Sequence, residues 1–204
     1  MSPKETNSPG RQKSTEKATA ILEGAMTEFL THGYAATNMD GVAATAGVSK
    51  ATVYRYFQDK ESLFVALVKR LAEEKYRTVF NPFNDKILQQ EPKVFLHLLA
   101  TKVLENAGQD QQMQAFLRTI IAESGRFPEL SHPYIENLAK PILETLSQYF
   151  ASHAEFAGKD AEVLARSFIG AIIYFVLLQE VLGGKTILPM ERDRFVEGLV
   201  NLFV

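Results

Sequence analysis

Apolar residues return at three- and four-residue intervals along nearly the whole chain, and no segment shows the two-residue alternation of a half-buried strand. Ala18, Ile21, Leu22, Ala25 and Phe29 set the pattern, and Leu63, Phe64, Leu67, Val68, Leu71 and Val79 repeat it. A chain patterned this way can bury its apolar face only by packing helix on helix. The expected fold class is therefore all-α. With 204 residues, 46% of them hydrophobic, there is enough material for one large domain or two small ones.

Punctuation divides the pattern into about nine helices. The stretch 1–13 holds Ser2, Pro3, Asn7, Ser8, Pro9 and Gly10 with no apolar period, and reads as a flexible N-terminal arm. A first helix runs from Ser14 and is capped by Gly33. Thr37 with Asp40 resembles a capping box for a short second helix that Gly47 ends. Ser49 caps a third, and Asp59 a long fourth that continues until Asn81 and Pro82. Further helices are expected near 92–107, 110–124, 131–153, 160–182 and 189–203, with a kink or a break at Pro141. The division that follows is an arm over 1–13, a three-helix unit over 14–60, and a helical bundle over 61–204 entered through the fourth helix.

The three-helix unit carries the most specific signal. A helix-turn-helix needs a small residue where its two helices cross, a turn residue that tolerates positive φ, and an apolar residue locking the second helix down. Ala43, Gly47 and Val53 supply these at the required spacing. At about 100° per residue, Val53 and Phe57 face inward on the third helix, while Lys50, Ala51, Tyr54 and Arg55 face outward. That outward face suits a DNA major groove. Lys50 and Arg55 can meet phosphates or guanine edges, Thr52 a base or phosphate, and Ala51 a thymine methyl, while Tyr54 and Tyr56 add aromatic surface with a hydroxyl.

The stretch 37–63, TNMDGVAATAGVSKATVYRYFQDKESL, resembles the DNA-binding signature of the TetR/AcrR family of bacterial regulators. The likeness extends over roughly 14–63 and includes Gly33–Tyr34. It implies that Thr37, Ser49, Lys50, Ala51, Thr52, Tyr54, Arg55 and Tyr56 lie at or near DNA, and that Lys60 meets a phosphate from the start of the fourth helix. Ala51 stands where many members have Gly, and Gly41 should weaken the second helix slightly. A second stretch, AESGRFPEL over 122–130, is similar to a segment of members with an AefR-like or AcrR-like C-terminal domain.

In the bundle, 160–182 is apolar on two faces, and the last helix repeats the pattern. One chain does not easily cover both faces. Together with the resemblance, this implies a homodimer through Leu164, Phe168, Ile172, Phe175, Phe195, Leu199, Leu202 and Phe203. Two recognition helices about 34 Å apart would then meet successive turns of operator DNA. An apolar and aromatic set, Phe95, Leu99, Val103, Phe116, Ile120, Phe127, Tyr134, Leu138 and Tyr174, is the candidate lining of an effector cavity. It suits a small hydrophobic or aromatic effector.

Other chemistries lack their residues. Cysteine is absent, and His32, His97, His132 and His153 are scattered without metal-ligand spacing. No nucleophile elbow, phosphate-binding glycine loop or dinucleotide fingerprint occurs, so no catalytic residue and no cofactor are expected. Residues 1–13 hold no signal-like apolar stretch, and the run Phe168–Leu178 is shorter than the ~20 residues that span a bilayer. The expectation is a cytoplasmic DNA-binding regulator, acting as a repressor released by an effector. A regulator controlled by a protein partner, an activator, and a helical enzyme are the alternatives.

Overall fold

The computed structural model describes residues 9–80 and 89–204, with side chains for 14–74 and 89–204. Nine helices, joined by turns and short 3₁₀ segments, make up the described residues, which contain no strand. They are α1 (Pro9–Ala36), α2 (Met39–Thr45), α3 (Lys50–Tyr56), α4 (Lys60–Phe80), α5 (Pro92–Gln109), α6 (Gln111–Glu123), α7 (residues 132–152), α8 (Ala161–Val181) and α9 (Arg192–Asn201). The bundle boundaries lie close to those expected from the sequence.

Differences at the helix ends have local causes. The first helix starts at Pro9 rather than Ser14, because proline at a first helical position gives up an N–H that would be unpaired anyway. The rest of the expected arm, residues 1–8, lies outside the described residues, as does the Asn81–Pro82 stop. α1 breaks at Gly33, whose φ of 74° is the left-handed conformation that glycine accepts without strain. The cap of α2 is Asn38, not Thr37. Asn38 Oδ1 accepts from the N–H groups of Asp40 (3.1 Å) and Gly41 (2.9 Å), while the Thr37 hydroxyl turns inward and donates to the Gly33 carbonyl at 2.8 Å.

The regular α-helix is interrupted next to Pro141 and resumes at Lys140. Just before it, residues Ile135–Ala139 widen into a π-turn in which the Lys140 N–H reaches back five residues to the Ile135 carbonyl. The helix takes up the missing proline donor by this local change of pitch and continues to Ser152. α8 ends in a second π-turn, Leu177–Val181. With 21 residues and an 18-residue window of mean hydropathy 1.9, α8 is long and apolar enough by length and composition to cross a bilayer, which the shorter run Phe168–Leu178 does not suggest. It packs along α7 and α5, with Phe168 and Ile172 fully buried.

Two apolar clusters organise the packing. One gathers α5, α7, α8 and α9 around Phe95, Leu99, Leu146, Phe150, Phe168 and Ile172. The other joins α1 to α4 around Ile21, Phe29, Val42, Val53, Leu63 and Phe64, and it also takes in Phe116, Ile120 and Leu130 from beyond α5. Rings of Phe29, Tyr34 and Phe116 all lie 5.2–5.7 Å from a neighbouring ring in this cluster, with Phe64 at its centre. Phe127 closes it against Tyr34 at 5.1 Å. α6 thus belongs to this second cluster, while its backbone also runs beside α5 and the end of α8.

Candidate nucleic-acid interface and effector cavity

The recognition element is built by short-range forces. Gly47 (φ 65°) makes the turn after α2, and Val48 returns its N–H to the Ala43 carbonyl at 3.0 Å. Ser49 then caps α3, its Oγ accepting from Thr52 N–H at 3.2 Å. Val53 is fully buried and fixes the rotation of α3 about its axis. Behind the motif, Gly24 of α1 lies against Ala46, where an added Cβ would come within 2.9 Å of both the Cβ and the backbone nitrogen of Ala46. Gly24 went unrecognised in the sequence because its reason, the approach of α2, is non-local. Gly41 faces the Glu28 carboxylate, which also accepts from Thr45 Oγ1 at 2.6 Å, so the weak helix former leaves room for a tie between α1 and α2.

Of the expected DNA contacts, Ser49, Lys50, Ala51, Tyr54 and Arg55 are exposed on one side of α3, with Tyr54 47% exposed. Thr52 is half-buried beside Ser49. Lys50 pairs with Asp40 at 2.7 Å, and this contact raises the lysine's pKa, first through the hydrogen bond and then through the charge. Both partners are exposed, so the pair holds Lys50 only lightly. Three residues stand apart from this face. Thr37 is buried, Tyr56 is half-buried with its hydroxyl 3.0 Å from Ser14 Oγ, and Lys60 donates to the carbonyls of Tyr34 (2.7 Å) and Ala35 (3.1 Å). The Lys60 ammonium also sits 4.5 Å from the centre of the Tyr34 ring. Burial pulls its pKa down, partly offset by Glu123. Lys60 thereby ties α4 to the end of α1.

The second site is a cavity of about 210 Å³ between α5, α6, α7 and α8. Val103, Tyr134 and Leu138 line it, as expected from the sequence. The other six residues nominated for it lie elsewhere. Phe95 and Leu99 are in the core of the bundle, Phe116, Ile120 and Phe127 belong to the cluster under α1, and Tyr174 points outward, 61% exposed. Missed from the sequence were Asn106, Met113, Leu117, Ile142, Leu143 and Ile169, among others. One signal was present: Leu99, Val103 and Asn106 fall on one helical stripe, and a polar residue continuing an apolar stripe marks something other than plain core.

The expected dimer contacts also divide. Phe168, Ile172, Phe175 and Leu199 are buried in the chain's own core, and Leu164, Phe195 and Phe203 pack against it. Leu202 alone of the eight is well exposed, at 83%. The richer of the two apolar stripes of α8 is consumed by α5, α7 and α9, so it is not free for a partner. The stripe left open runs through Val163, Ser167, Gly170 and Tyr174, with Ile173 at its edge. Where α8 ends, Arg118 of α6 donates to the Val181 carbonyl at 2.8 Å, and the Glu180 carboxylate is held by Lys185 (2.6 Å) and Arg192 (3.0 Å). Burial pushes the Glu180 carboxyl up, but these two cations outweigh it and hold the pKa below the ordinary value.

A helix-turn-helix with an exposed reading face, carried on an all-helical bundle that encloses an apolar cavity, defines the class of DNA-binding transcriptional regulators. Residues 21–67 match the bacterial regulatory proteins of the tetR family, and residues 96–204 match the AefR-like transcriptional repressor C-terminal domain. The chain belongs to the tetR family. It is 43% identical over 61 residues to the HTH-type transcriptional regulator YhgD of Bacillus subtilis, a match covering 30% of this chain and 32% of that one. The chain thus spans only about a third of that relative's length. A tetR-family transcriptional regulator from Mesorhizobium loti shares the fold at a TM-score of 0.76 and 24% identity, over 94% of this chain and 96% of that one. The flavonoid-responsive regulator FrrA is similar at a TM-score of 0.72 and 28% identity, over 93% and 95%.

Proposed function

We propose that this protein is a cytoplasmic, homodimeric repressor that binds operator DNA through α3 and is released when a small apolar effector fills the cavity between α5, α6, α7 and α8. The observation that carries the reading is the exposed row Ser49, Lys50, Ala51, Tyr54 and Arg55, held rigidly by Val53 and the Ser49 cap. The cavity supports the effector half: α6 lines it with Met113 and Leu117 and, on its other side, inserts Phe116 and Ile120 under the reading head. FrrA, described as flavonoid-responsive, supports a small aromatic class of effector. Selection of random-sequence duplexes by the purified chain tests the reading. Enrichment of an inverted repeat with half-site centres about 10 base pairs apart, or a multiple of that, is expected. Failure to enrich any sequence removes the proposal.

Dimerisation is required because one seven-residue recognition helix reads too few base pairs for useful specificity. The open stripe of α8 supplies the surface. Ser167 and Gly170 at its centre let a second helix approach closely, and Val163 and Tyr174 flank them. The wild-type chain is expected to sediment as a dimer at micromolar concentration, and a Val163→Glu/Tyr174→Glu variant as a monomer of unchanged melting behaviour. A variant that remains dimeric places the interface elsewhere.

A further inference from the structure

Among the described residues one buried side-chain polar group has no partner, and it belongs to a residue that lines the effector cavity. Asn106 lines the wall supplied by α5, and its Nδ2 amide has neither solvent exposure nor a hydrogen bond. Its polar neighbours are already engaged: the Gln114 amide donates to the Ala107 carbonyl at 2.7 Å, and Asp110 accepts from the Met113 N–H at 2.8 Å. A buried amide donor left unpaired is unfavourable, and such a group in an apolar cavity is commonly a recognition point.

The charge of the wall narrows the ligand further. Among the described residues no Lys, Arg or His lines the cavity, and its ionisable members are Asp110 and Tyr134, whose phenol burial keeps from ionising. A carboxylate or phosphate entering it would lose its hydration, meet no cation among these described residues, and face the Asp110 carboxylate. At about 210 Å³ the cavity exceeds the ~150 Å³ void that takes up benzene, and suits a ligand of one or two rings.

We infer that the effector is a neutral, mainly apolar molecule of one or two rings whose accepting oxygen, such as a ketone or ester carbonyl, takes the Asn106 amide hydrogen once that side chain turns its Nδ2 into the cavity. This rests on the reading of the cavity as the effector site. Specificity then comes from one hydrogen bond inside an apolar envelope, and the cavity selects against acids of the same shape.

Three naphthalenes of nearly one shape test this by calorimetry on the full chain: 2-acetylnaphthalene, 2-isopropenylnaphthalene and 2-naphthoate. The ketone is expected to bind about tenfold more tightly than the alkene, which replaces only C=O by C=CH₂. The carboxylate is expected to bind most weakly. Asn106→Leu, which loses no existing hydrogen bond, should keep alkene binding and abolish the ketone's advantage. Equal affinity of ketone and alkene for the wild-type chain overturns the inference and leaves the cavity reading standing. A ketone preference that survives Asn106→Leu, or tightest binding by the naphthoate, also overturns it. If none of the three binds, the inference falls together with the effector cavity. The comparison within the wild-type chain can overturn the inference even if Asn106→Leu does not fold, and Asn106→Ser then serves as the second variant.

Discussion

Phe64→Ala is expected to lower the free energy of unfolding by about 3–5 kcal/mol, the usual cost of emptying a fully buried aromatic position. Phe64 has no solvent exposure and lies edge-on to Phe29 and Tyr34 and stacked against Phe116, at 5.2–5.3 Å from each. Three rings on two elements, α1 and α6, lose a partner at once, so local collapse can refill little of the space. For a chain of this size the loss corresponds to a melting temperature lower by roughly 6–20 °C. Because Phe116 belongs to α6 and Phe29 to α1, the variant should still unfold in one transition. Calorimetry checks both points; two separated transitions in the wild-type chain would show that the halves are stabilised independently, contrary to the packing described above.

Lys50→Ala combined with Arg55→Ala should weaken operator binding by about 10²–10⁴-fold while leaving the melting temperature nearly unchanged. Each side chain is worth about 1–3 kcal/mol if it meets a base edge, and somewhat less specific energy if it meets a phosphate. Both are exposed, and the one ion pair involved, Lys50 with Asp40, is of the surface kind that contributes little to stability. The salt dependence separates the two kinds of contact. Loss of a phosphate contact lowers the slope of log affinity against log salt by about one and weakens all sequences alike; loss of a base contact relaxes preference at one position. Fluorescence anisotropy on the selected duplex and a scrambled one measures both. Wild-type affinity in the double variant would place the reading surface away from α3.

What the sequence makes legible here is what short-range physics determines. The cap at Ser49, the turn at Gly47, the inward Val53 and the Asp59 start of α4 each depend on groups within a few residues, and the structure has them all; Asp59 Oδ1 accepts from Ser62 N–H at 2.7 Å. Thr37 and Asn38 show the limit of such reasoning. Both residue types cap helices, and the choice was made by the inward pull of the Gly33 carbonyl on Thr37. Tyr56 and Lys60 were less accessible than their positions suggest because α1 returns beside them, which only the tertiary fold establishes.

The bundle was harder for the same reason. Two apolar stripes on α8 are visible in the sequence, but which one the chain covers itself depends on where α5, α7 and α9 lie. The stripe richer in large residues was covered, leaving the one with Ser167 and Gly170. Aromatic residues were taken for cavity lining, whereas close packing consumed most of them and the void formed beside smaller and aliphatic side chains such as Ala107, Ala139, Ile142 and Leu143. Large rings fill space, and cavities persist where the packed shapes fail to meet.

The aromatic cluster around Phe64 bears on how such proteins exchange parts. A segment comprising 14–60 looks like a portable cassette in the sequence, yet Phe29 and Tyr34 within it are roofed from outside by Phe64 and Phe127, with Phe116 stacked behind Phe64. Transplanted onto another bundle without those three rings, the cassette would present bare aromatic surface and lose the anchorage of α1. A change of DNA specificity by recombination must therefore carry the roof with it or find a matching one, whereas substitutions on the exposed side of α3 are free of that constraint.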